Sequence, residues 1–205
     1  MVQTLSFFII TIILLTTIPY KEAHQQHFLS SNLVSSQEII NQTCTKCADL
    51  SEVFSYNFCA ASLHNVPISH AITNLQGLAL VAMELALDYA SATVVTIEKI
   101  LDNSINDSTT TGLDPFSSMC LNDCLELYSD AVTTLVDAIE AFMNQNYETA
   151  RVWLSAVMEA SSTCEEGFKE RGEEVESPLV KENYRLFQLC DIALCIATLL
   201  TSHSS

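Results

Sequence analysis

Residues that form turns are scarce in this chain, since its 205 residues include only 4 glycines and 4 prolines. These residue types normally make up about 7% and 5% of a protein, so the chain has too few of them to separate the many short strands of a β-sandwich or barrel. The glycines also stand apart from one another, whereas phosphate-binding loops need clustered glycines. The sequence therefore excludes the common nucleotide-binding motifs and favours a helical protein.

Basic residues are few as well. The chain has 8 Lys and Arg against 25 Asp and Glu, which gives a formal net charge of -17. Binding to nucleic acid or to an anionic membrane surface needs clustered positive charge. The composition therefore predicts neither a nucleic acid nor a membrane as partner of the mature protein.

The amino-terminal segment is apolar from Leu5 to Ile18 and is ended by Pro19 and Lys21. A membrane-spanning helix needs about 20 apolar residues, whereas the hydrophobic part of a signal peptide is shorter. We therefore expect a signal peptide over residues 1–23, a polar tail over 24–35 and a secreted mature protein.

Secretion decides how the 8 cysteines are interpreted. In an oxidising compartment, cysteines form disulfides first and serve as metal ligands or redox centres only second. Cys44 and Cys47 form a CxxC, but a redox pair of that kind belongs to a βαβ setting and a closed zinc site needs a second such pair. We expect no metal and no cofactor. Two sequons predict glycosylation at Asn41 and Asn106.

Apolar residues at alternating three- and four-residue spacing predict two short helices followed by four long ones. The fold class expected is all-α, an antiparallel four-helix bundle (about 68–202) preceded by a helical hairpin (about 36–66), with the whole domain spanning 36–203. The predicted helices are Ser35 to about Leu50, which opens with a capping box to Glu38, about Val53 to His64, 68 to about 102, a stretch marked from Leu121 to Phe142, another marked from Ala150 to Phe168, and a last helix that starts at Ser177-Pro178 and continues to Leu200.

Within these helices, the residues expected to face the core are those that share one stripe. In the first long helix they are Leu75, Leu78, Ala82, Leu85, Tyr89 and Ala92. In the next they are Leu121, Leu125, Tyr128, Val132, Leu135, Ile139 and Phe142, widened by Cys124, Leu127, Ala131, Ala138 and Ala141, and in the third Trp153 is included with Ala150, Leu154 and Val157. The charged stretch from Lys169 to Glu176 is predicted to be a solvated loop.

Catalytic motifs are missing from the sequence. No HExxH or GxSxG occurs, and the five histidines are scattered. The carboxylate pair Glu165-Glu166 would suit glycosidic acid–base chemistry only if one carboxyl were buried, and its place near a helix end predicts a solvated acidic face instead. We therefore expect no catalytic residue and a protein that acts by binding another molecule.

The sequence around the cysteines resembles the plant invertase/pectin methylesterase inhibitor family over about residues 36 to 201. The similar segments, in order, are Ile39–Cys44, Tyr56–Cys59, Leu121–Tyr128 with Asp130-Ala131, Val152–Val157, Thr163–Phe168 and Ser177–Leu179. Within the family, the pattern most resembles an invertase-inhibitor subgroup that includes a plane-tree pollen allergen.

The resemblance implies a four-helix bundle with an amino-terminal hairpin and two disulfides, Cys44 with Cys59 and Cys124 with Cys164. Four further cysteines, Cys47, Cys120, Cys190 and Cys195, lie outside that pattern. They are expected to form extra bridges or to remain small core residues, and Cys47 and Cys120 are expected to be close if the hairpin packs against the second bundle helix.

The resemblance also implies a function, because family members inhibit an enzyme by docking the bundle over its substrate cleft. Invertase inhibitors insert a Pro-Lys-Phe loop between the second and third bundle helices, whereas this chain has Asn146-Tyr147-Glu148 there. We therefore expect a secreted inhibitor of pectin methylesterase, with an invertase inhibitor as the alternative and a non-inhibitory storage or allergen-type bundle as a further one. The candidate target-binding residues are Glu126, Asp130, Asp137, Tyr147, Glu148 and Arg151.

The negative charge of the chain also bears on its partner and its location. A net charge of -17 repels polygalacturonate, so we expect no direct binding to pectin and a basic wall-bound enzyme as the protein partner. The expected location is the apoplast, with the vacuole as the alternative. A lipid-transfer protein is disfavoured because its eight-cysteine framework contains Cys-Cys and Cys-x-Cys, which do not occur here.

Overall fold

The computed structural model describes residues 35–106, 113–170 and 177–202, with the side chains of Ile105, Asn106 and Ser202 excepted. The predicted signal peptide, nearly all of the predicted polar tail, residues 107–112 and most of the predicted loop at 169–176 lie outside these residues. Every regular element within them is helical, which confirms the all-α prediction. The elements are α1 (Ser36–Leu50), α2 (Tyr56–His64), a 3₁₀ turn (Pro67–Ala71), α3 (Leu75–Asn106), α4 (Pro115–Met143), α5 (Tyr147–Lys169) and α6 (Val180–Ser202).

The first two helices form a hairpin, and each begins at a serine cap. The Ser35 hydroxyl accepts a hydrogen bond from the Glu38 backbone N–H at 3.2 Å, which is one of the two hydrogen bonds of the predicted capping box. The Ser55 hydroxyl accepts a hydrogen bond from the Phe58 N–H at 3.3 Å. The helix α2 therefore begins at Tyr56, whereas the sequence predicts a start at about Val53. A Cys44–Cys59 disulfide, with 5.6 Å between the Cα atoms, joins the two helices.

The four long helices form the bundle. α4 packs between α3 and α5, and α6 closes the ring by packing against both α5 and α3. A Cys124–Cys164 disulfide links α4 to α5. The four bundle helices are long enough to bury a continuous apolar core. The hairpin helices α1 and α2, with 15 and 9 residues, are too short to do so alone.

The buried stripe of α4 is displaced from the predicted one toward its small residues. Cys124, Ala131 and Ala138 are fully buried, whereas Leu125, Val132 and Ile139 are only partly buried. Small side chains let the neighbouring helices approach closely, so the axis of contact follows the alanines. The prediction and the structure agree on four buried residues of α4, namely Leu121, Tyr128, Leu135 and Phe142.

α3 begins later than predicted. The chain forms the 3₁₀ turn over Pro67–Ala71, and the Asn74 side chain then accepts a hydrogen bond from the Gly77 N–H at 2.7 Å at the start of α3. Ala92, predicted to face the core, is exposed, and the core positions include Ala86, Ala90 and Ile97 instead. By length and composition alone, two helices could span a membrane, Leu75–Ser104 and Val180–Thr201, and 44% of the most apolar stretch of each is buried inside the bundle.

A third disulfide, Cys47–Cys195, joins the hairpin to α6. The expectation that Cys47 lies near Cys120 is therefore wrong, because α1 packs against α6 and not against the second bundle helix, α4. Cys120 and Cys190 are free and buried. The four additional cysteines thus divide into one bridge and two core thiols.

Candidate protein-docking face

The outer side of α4 is acidic. The helix carries five acidic and no basic side chains, and Glu126, Asp130 and Asp137 among them are exposed. These three residues lie on one side of the helix because their spacing is four and seven positions. The local sequence thus presents a row of carboxylates to solvent.

An exposed tryptophan of α5 lies at the same level along the bundle as this row. The Cys124–Cys164 bridge sets the register of the antiparallel helices α4 and α5, and Trp153, eleven residues before Cys164, is level with Leu135, eleven residues after Cys124. Trp153 is 38% exposed and its neighbour Val152 is 64% exposed. The prediction that Trp153 belongs to the core stripe is therefore wrong.

The signal that identifies Trp153 as a surface residue is present in the sequence. The buried residues of α5 are spaced by four and three, at Ala150, Leu154, Val157, Ser161, Cys164 and Phe168. Position 153 falls outside this series, about 100° from Leu154 around the helix axis. The hydrophobicity of Trp153 predicts a core position, but the spacing of the buried residues of α5 predicts that residue 153 lies at the surface.

Together these residues define what we call the α4–α5 face: Glu126, Asp130 and Asp137 of α4 with Val152 and Trp153 of α5. Tryptophan is enriched among the residues that anchor protein interfaces, and a row of one charge favours a partner of the opposite charge. The face is thus suited to a basic protein surface.

The turn between α4 and α5 is short, and its aromatic residue faces the bundle. Gln145 has a φ of 61°, which closes the turn, and α5 starts at Tyr147. The Tyr147 ring packs on Phe142 with 5.0 Å between ring centroids, and its hydroxyl accepts a hydrogen bond from Gln76 Nε2 at 3.1 Å. No aromatic side chain therefore projects from this turn.

The six candidate residues do not form a single surface. Glu148 and Arg151 pair with each other, with 2.9 Å between Nη1 and Oε1. Arg151 and Trp153 are two positions apart, about 200° around the helix at 3.6 residues per turn, so they project from opposite edges of α5. Glu126, Asp130 and Asp137 therefore belong to the α4–α5 face, whereas Tyr147 and Arg151 lie on the other edge.

A buried polar network crosses the bundle core. The Tyr128 hydroxyl donates to Asn183 Oδ1 at 2.8 Å, and Asn183 Nδ2 donates to Glu165 Oε2 at 2.9 Å. Burial raises the pKa of Tyr128 far above its ordinary value, so its hydroxyl remains a donor. The sequence predicts a solvated acidic face for both Glu165 and Glu166. In the structure Glu165 is half-buried and belongs to this network, whereas Glu166 is exposed as predicted.

The groove between α5 and α6 that contains Glu165 has a volume of about 330 Å³. Most of its polar side chains already have partners within the protein. The hydroxyls of Ser161 and Ser162 donate to the Met158 carbonyl at 2.8 and 3.2 Å, and Asn183 and Glu165 bind each other. The groove is consistent with structural packing, and we assign it no chemistry.

The CxxC cysteines, Cys44 and Cys47, are bonded to different partners, Cys59 and Cys195, and not to each other. Among the described residues, no group of three or more His, Cys, Asp or Glu side chains is placed to hold a metal ion.

The two predicted glycosylation sites have different settings. Asn41 lies within α1 and is half-buried. Its Oδ1 accepts from the Tyr56 hydroxyl at 3.2 Å and lies 3.3 Å from His64 Nε2, while a glycan would attach to the other amide atom, Nδ2. The side chain of Asn106 lies outside the described residues. Glycosylation at both stays a prediction.

Comparison with known proteins places this geometry in a family context. The family model described as "Plant invertase/pectin methylesterase inhibitor" matches residues 38–196. A Platanus acerifolia protein named "Putative invertase inhibitor" is 38% identical over 167 residues, 82% of this chain and 88% of that protein. A pectinesterase inhibitor of Actinidia deliciosa is 28% identical over 166 residues, 81% of each. The crystal structure of a mutant pectin methylesterase inhibitor from Arabidopsis is similar with a TM-score of 0.62 and 25% identity, covering 78% of this chain and 97% of that one.

Proposed function

Because this chain belongs to the plant invertase/pectin methylesterase inhibitor family and is an enzyme inhibitor rather than an enzyme, we propose that its target is pectin methylesterase. The α4–α5 face would cover the substrate cleft of that enzyme. The three disulfides fit a secreted protein, and we propose the apoplast as its location.

The observation that carries the choice of target is the turn between α4 and α5. An inhibitor that inserts a loop into the sucrose pocket of invertase needs a projecting residue at this position. Tyr147 instead packs on Phe142 and binds Gln76, and Glu148, which is exposed, would bring negative charge toward a pocket lined by catalytic carboxylates. A helical face that lies across a groove does not need such a loop.

Charge supports the same kind of partner. The net charge of -17 and the absence of basic residues from α4 favour binding to a basic enzyme surface. Long-range attraction between exposed charges is screened over about 8 Å at physiological ionic strength. We therefore expect the association rate to fall as salt is added, while the apolar contact of Trp153 is retained.

The experiment is a pair of inhibition titrations at mildly acidic pH, one against pectin methylesterase and one against cell-wall invertase. We expect stoichiometric inhibition of the first enzyme only. Inhibition of invertase alone would move the target to that enzyme, which the 38% identity to the Platanus protein named as an invertase inhibitor favours as the second candidate. If neither enzyme responds, the storage or allergen-type alternative replaces both.

Variants of the α4–α5 face test where the enzyme is bound. Truncation of an aromatic anchor costs about 2 kcal/mol or more, so we expect Trp153→Ala to weaken inhibition by about 30-fold or more. Asp137→Lys should slow association at low salt. The matched controls lie on α3, where Val95→Ala removes an exposed apolar residue and Asp88→Lys makes the same charge change. Equal losses in the controls would exclude the α4–α5 face as the docking surface.

A further inference from the structure

The connection between α1 and α2 is held against α6 by four contacts. Cys47, near the end of α1, is bonded to Cys195 of α6. The Ser51 hydroxyl donates to Asp191 Oδ2 at 2.7 Å. The Val53 carbonyl accepts from both the Tyr184 hydroxyl and Gln188 Nε2, each at 2.9 Å. We call these four contacts the hairpin clamp.

Other packing of the hairpin on the long helices is limited. α2 packs mainly on α1 and on the 3₁₀ turn, and the main helical neighbour of α1 in the bundle is α6. The hairpin clamp therefore decides how firmly the hairpin is held to the bundle.

The disulfide of the clamp differs from the other two in its access to solvent. Cys44, Cys59, Cys124 and Cys164 are at most 2% exposed, and Cys47 is fully buried. Cys195 is only partly buried. A disulfide is reduced by attack of a thiolate on one of its sulfurs. Among the bridged cysteines, Cys195 is the residue most open to solvent in the folded protein, so a reductant should reach this bridge before the other two.

The two free thiols do not compete for this reaction. Cys190 is fully buried, and burial together with Asp191 raises its pKa well above the ordinary value. Burial also raises the pKa of Cys120, whose thiol lies 3.5 Å from the Gly167 carbonyl oxygen. A protonated, buried thiol is a poor nucleophile, so neither is expected to exchange with the Cys47–Cys195 bridge.

We propose that the Cys47–Cys195 disulfide is a redox-sensitive clamp, which a dithiol reductant opens before either of the other two bridges. One thiolate of the reductant attacks the sulfur of Cys195 and releases Cys47 as a thiol. Its second thiol then displaces Cys195, also as a thiol, so that the reductant ends as a disulfide and the two protons reside on the cysteines. This proposal is independent of the target enzyme.

Opening the clamp has a defined structural consequence. The hairpin stays closed on itself through Cys44–Cys59, and the bundle stays linked through Cys124–Cys164. The hairpin is then attached to α6 only through hydrogen bonds and packing. It should therefore open as a unit without unfolding of the bundle.

The first test is a dithiothreitol titration of the folded full chain, followed by alkylation and peptide mapping. We expect Cys47 and Cys195 to be alkylated at a dithiothreitol concentration about tenfold or more below that needed for the other bridged cysteines. The free thiol of Cys190 is fully buried and reports on global unfolding. The proposal is overturned if either of the other bridges opens at the same or lower concentration, or if Cys190 becomes labelled together with Cys47 and Cys195.

The second test is hydrogen exchange of the double variant Cys47→Ser with Cys195→Ser, compared with Cys190→Ala, which alters a free thiol on the same helix. We expect amides of 36–64 to exchange about tenfold faster or more in the double variant, with α4 and α5 unchanged. If the double variant does not fold, the wild-type protein at the lowest effective dithiothreitol concentration is measured instead. Unchanged hairpin rates, or an equal increase in α4 and α5, would contradict the clamp.

Discussion

The hairpin and the bundle of this protein are stabilised in different ways. α1 and α2 have 15 and 9 residues, and together they take part in two of the three disulfides. The bundle helices have 23 to 32 residues and share one disulfide among them. Short helices bury too little apolar surface to offset the entropy of ordering the chain, so the hairpin depends on covalent links where the bundle depends on packing.

The largest expected effect is in the bundle core. Phe168 of α5 is fully buried, and Phe168→Ala should lower the free energy of unfolding by about 3–5 kcal/mol because it leaves a cavity. Urea denaturation followed by circular dichroism measures the loss. Trp153→Ala, at a 38% exposed position of the same helix, should cost about 1 kcal/mol or less. Equal losses for both variants would mean that α5 is not held by its buried stripe.

The hairpin should respond to loss of its own bridge. Cys44 and Cys59 are 15 residues apart, and the chain-entropy model gives a loop of this length about 3 kcal/mol. We expect the double variant Cys44→Ser with Cys59→Ser to raise hydrogen-exchange rates over 36–64 and to leave α4 nearly unchanged. An increase of the same size in α4 would show that hairpin and bundle unfold as one unit, which removes the distinction between them.

A smaller loss is expected from the polar network of the bundle. Tyr128→Phe leaves Asn183 Oδ1 without its donor, which should cost about 1–3 kcal/mol. Thermal or urea unfolding of the variant at neutral pH measures this loss. Substitution of Glu165 by Gln is the control, since a glutamine side-chain oxygen can still accept from Asn183 Nδ2.

The same residue predicts a pH dependence. Burial raises the pKa of Tyr128 above the ordinary value of 10.0, so the folded state keeps a proton that the unfolded state releases near that pH. The stability that depends on this proton is complete below pH 10 and declines as the pH rises further. The unfolding free energy of the wild type should therefore fall more steeply above pH 10 than that of Tyr128→Phe. Parallel curves would contradict this assignment.

The smallest expected effects come from two helical glycines. A Cβ at Gly167 in α5 meets no atom within 4 Å, so Gly167→Ala should stabilise the protein by about 0.5–1 kcal/mol. A Cβ at Gly77 lies 3.0 Å from Ile72 Cδ1, at the junction of hairpin and bundle, and Gly77→Ala should gain less or lose stability. The melting temperatures of the two variants measure the difference. A larger gain at Gly77 would show that this junction is loosely packed.

The structure agrees with the sequence best where local chemistry decides the outcome. Ser35 caps α1 with the Glu38 N–H as its partner, as predicted. The structure also joins the two disulfide pairs implied by the family resemblance, Cys44–Cys59 and Cys124–Cys164. The predicted start of α2 is wrong because Ser55 caps the helix, and the predicted start of α3 is too early because the 3₁₀ turn after Val66 continues the helical pattern of the sequence.

Candidate surface residues were harder to predict, because exposure depends on which side of a helix meets its neighbours. Asp130 and Asp137 are charged residues outside the apolar stripe, and both are exposed as predicted. Trp153 is exposed although it is hydrophobic, because its position lies outside the spacing of the buried residues. Tyr147 is a predicted surface residue, but the turn directs its ring onto Phe142.

The sequence alone determined the helical class, the positions of the long helices, the acidic surface and the family, because these follow from residue spacing, composition and local motifs. Only the tertiary structure decided that Cys47 bonds to Cys195, 148 residues away, and that Cys120 and Cys190 stay free. It also decided that Trp153 is exposed at the level of the acidic row of α4. The physical reason is that pairing of distant cysteines and contact across helices depend on the relative placement of whole elements, which the periodicity of any single helix does not specify.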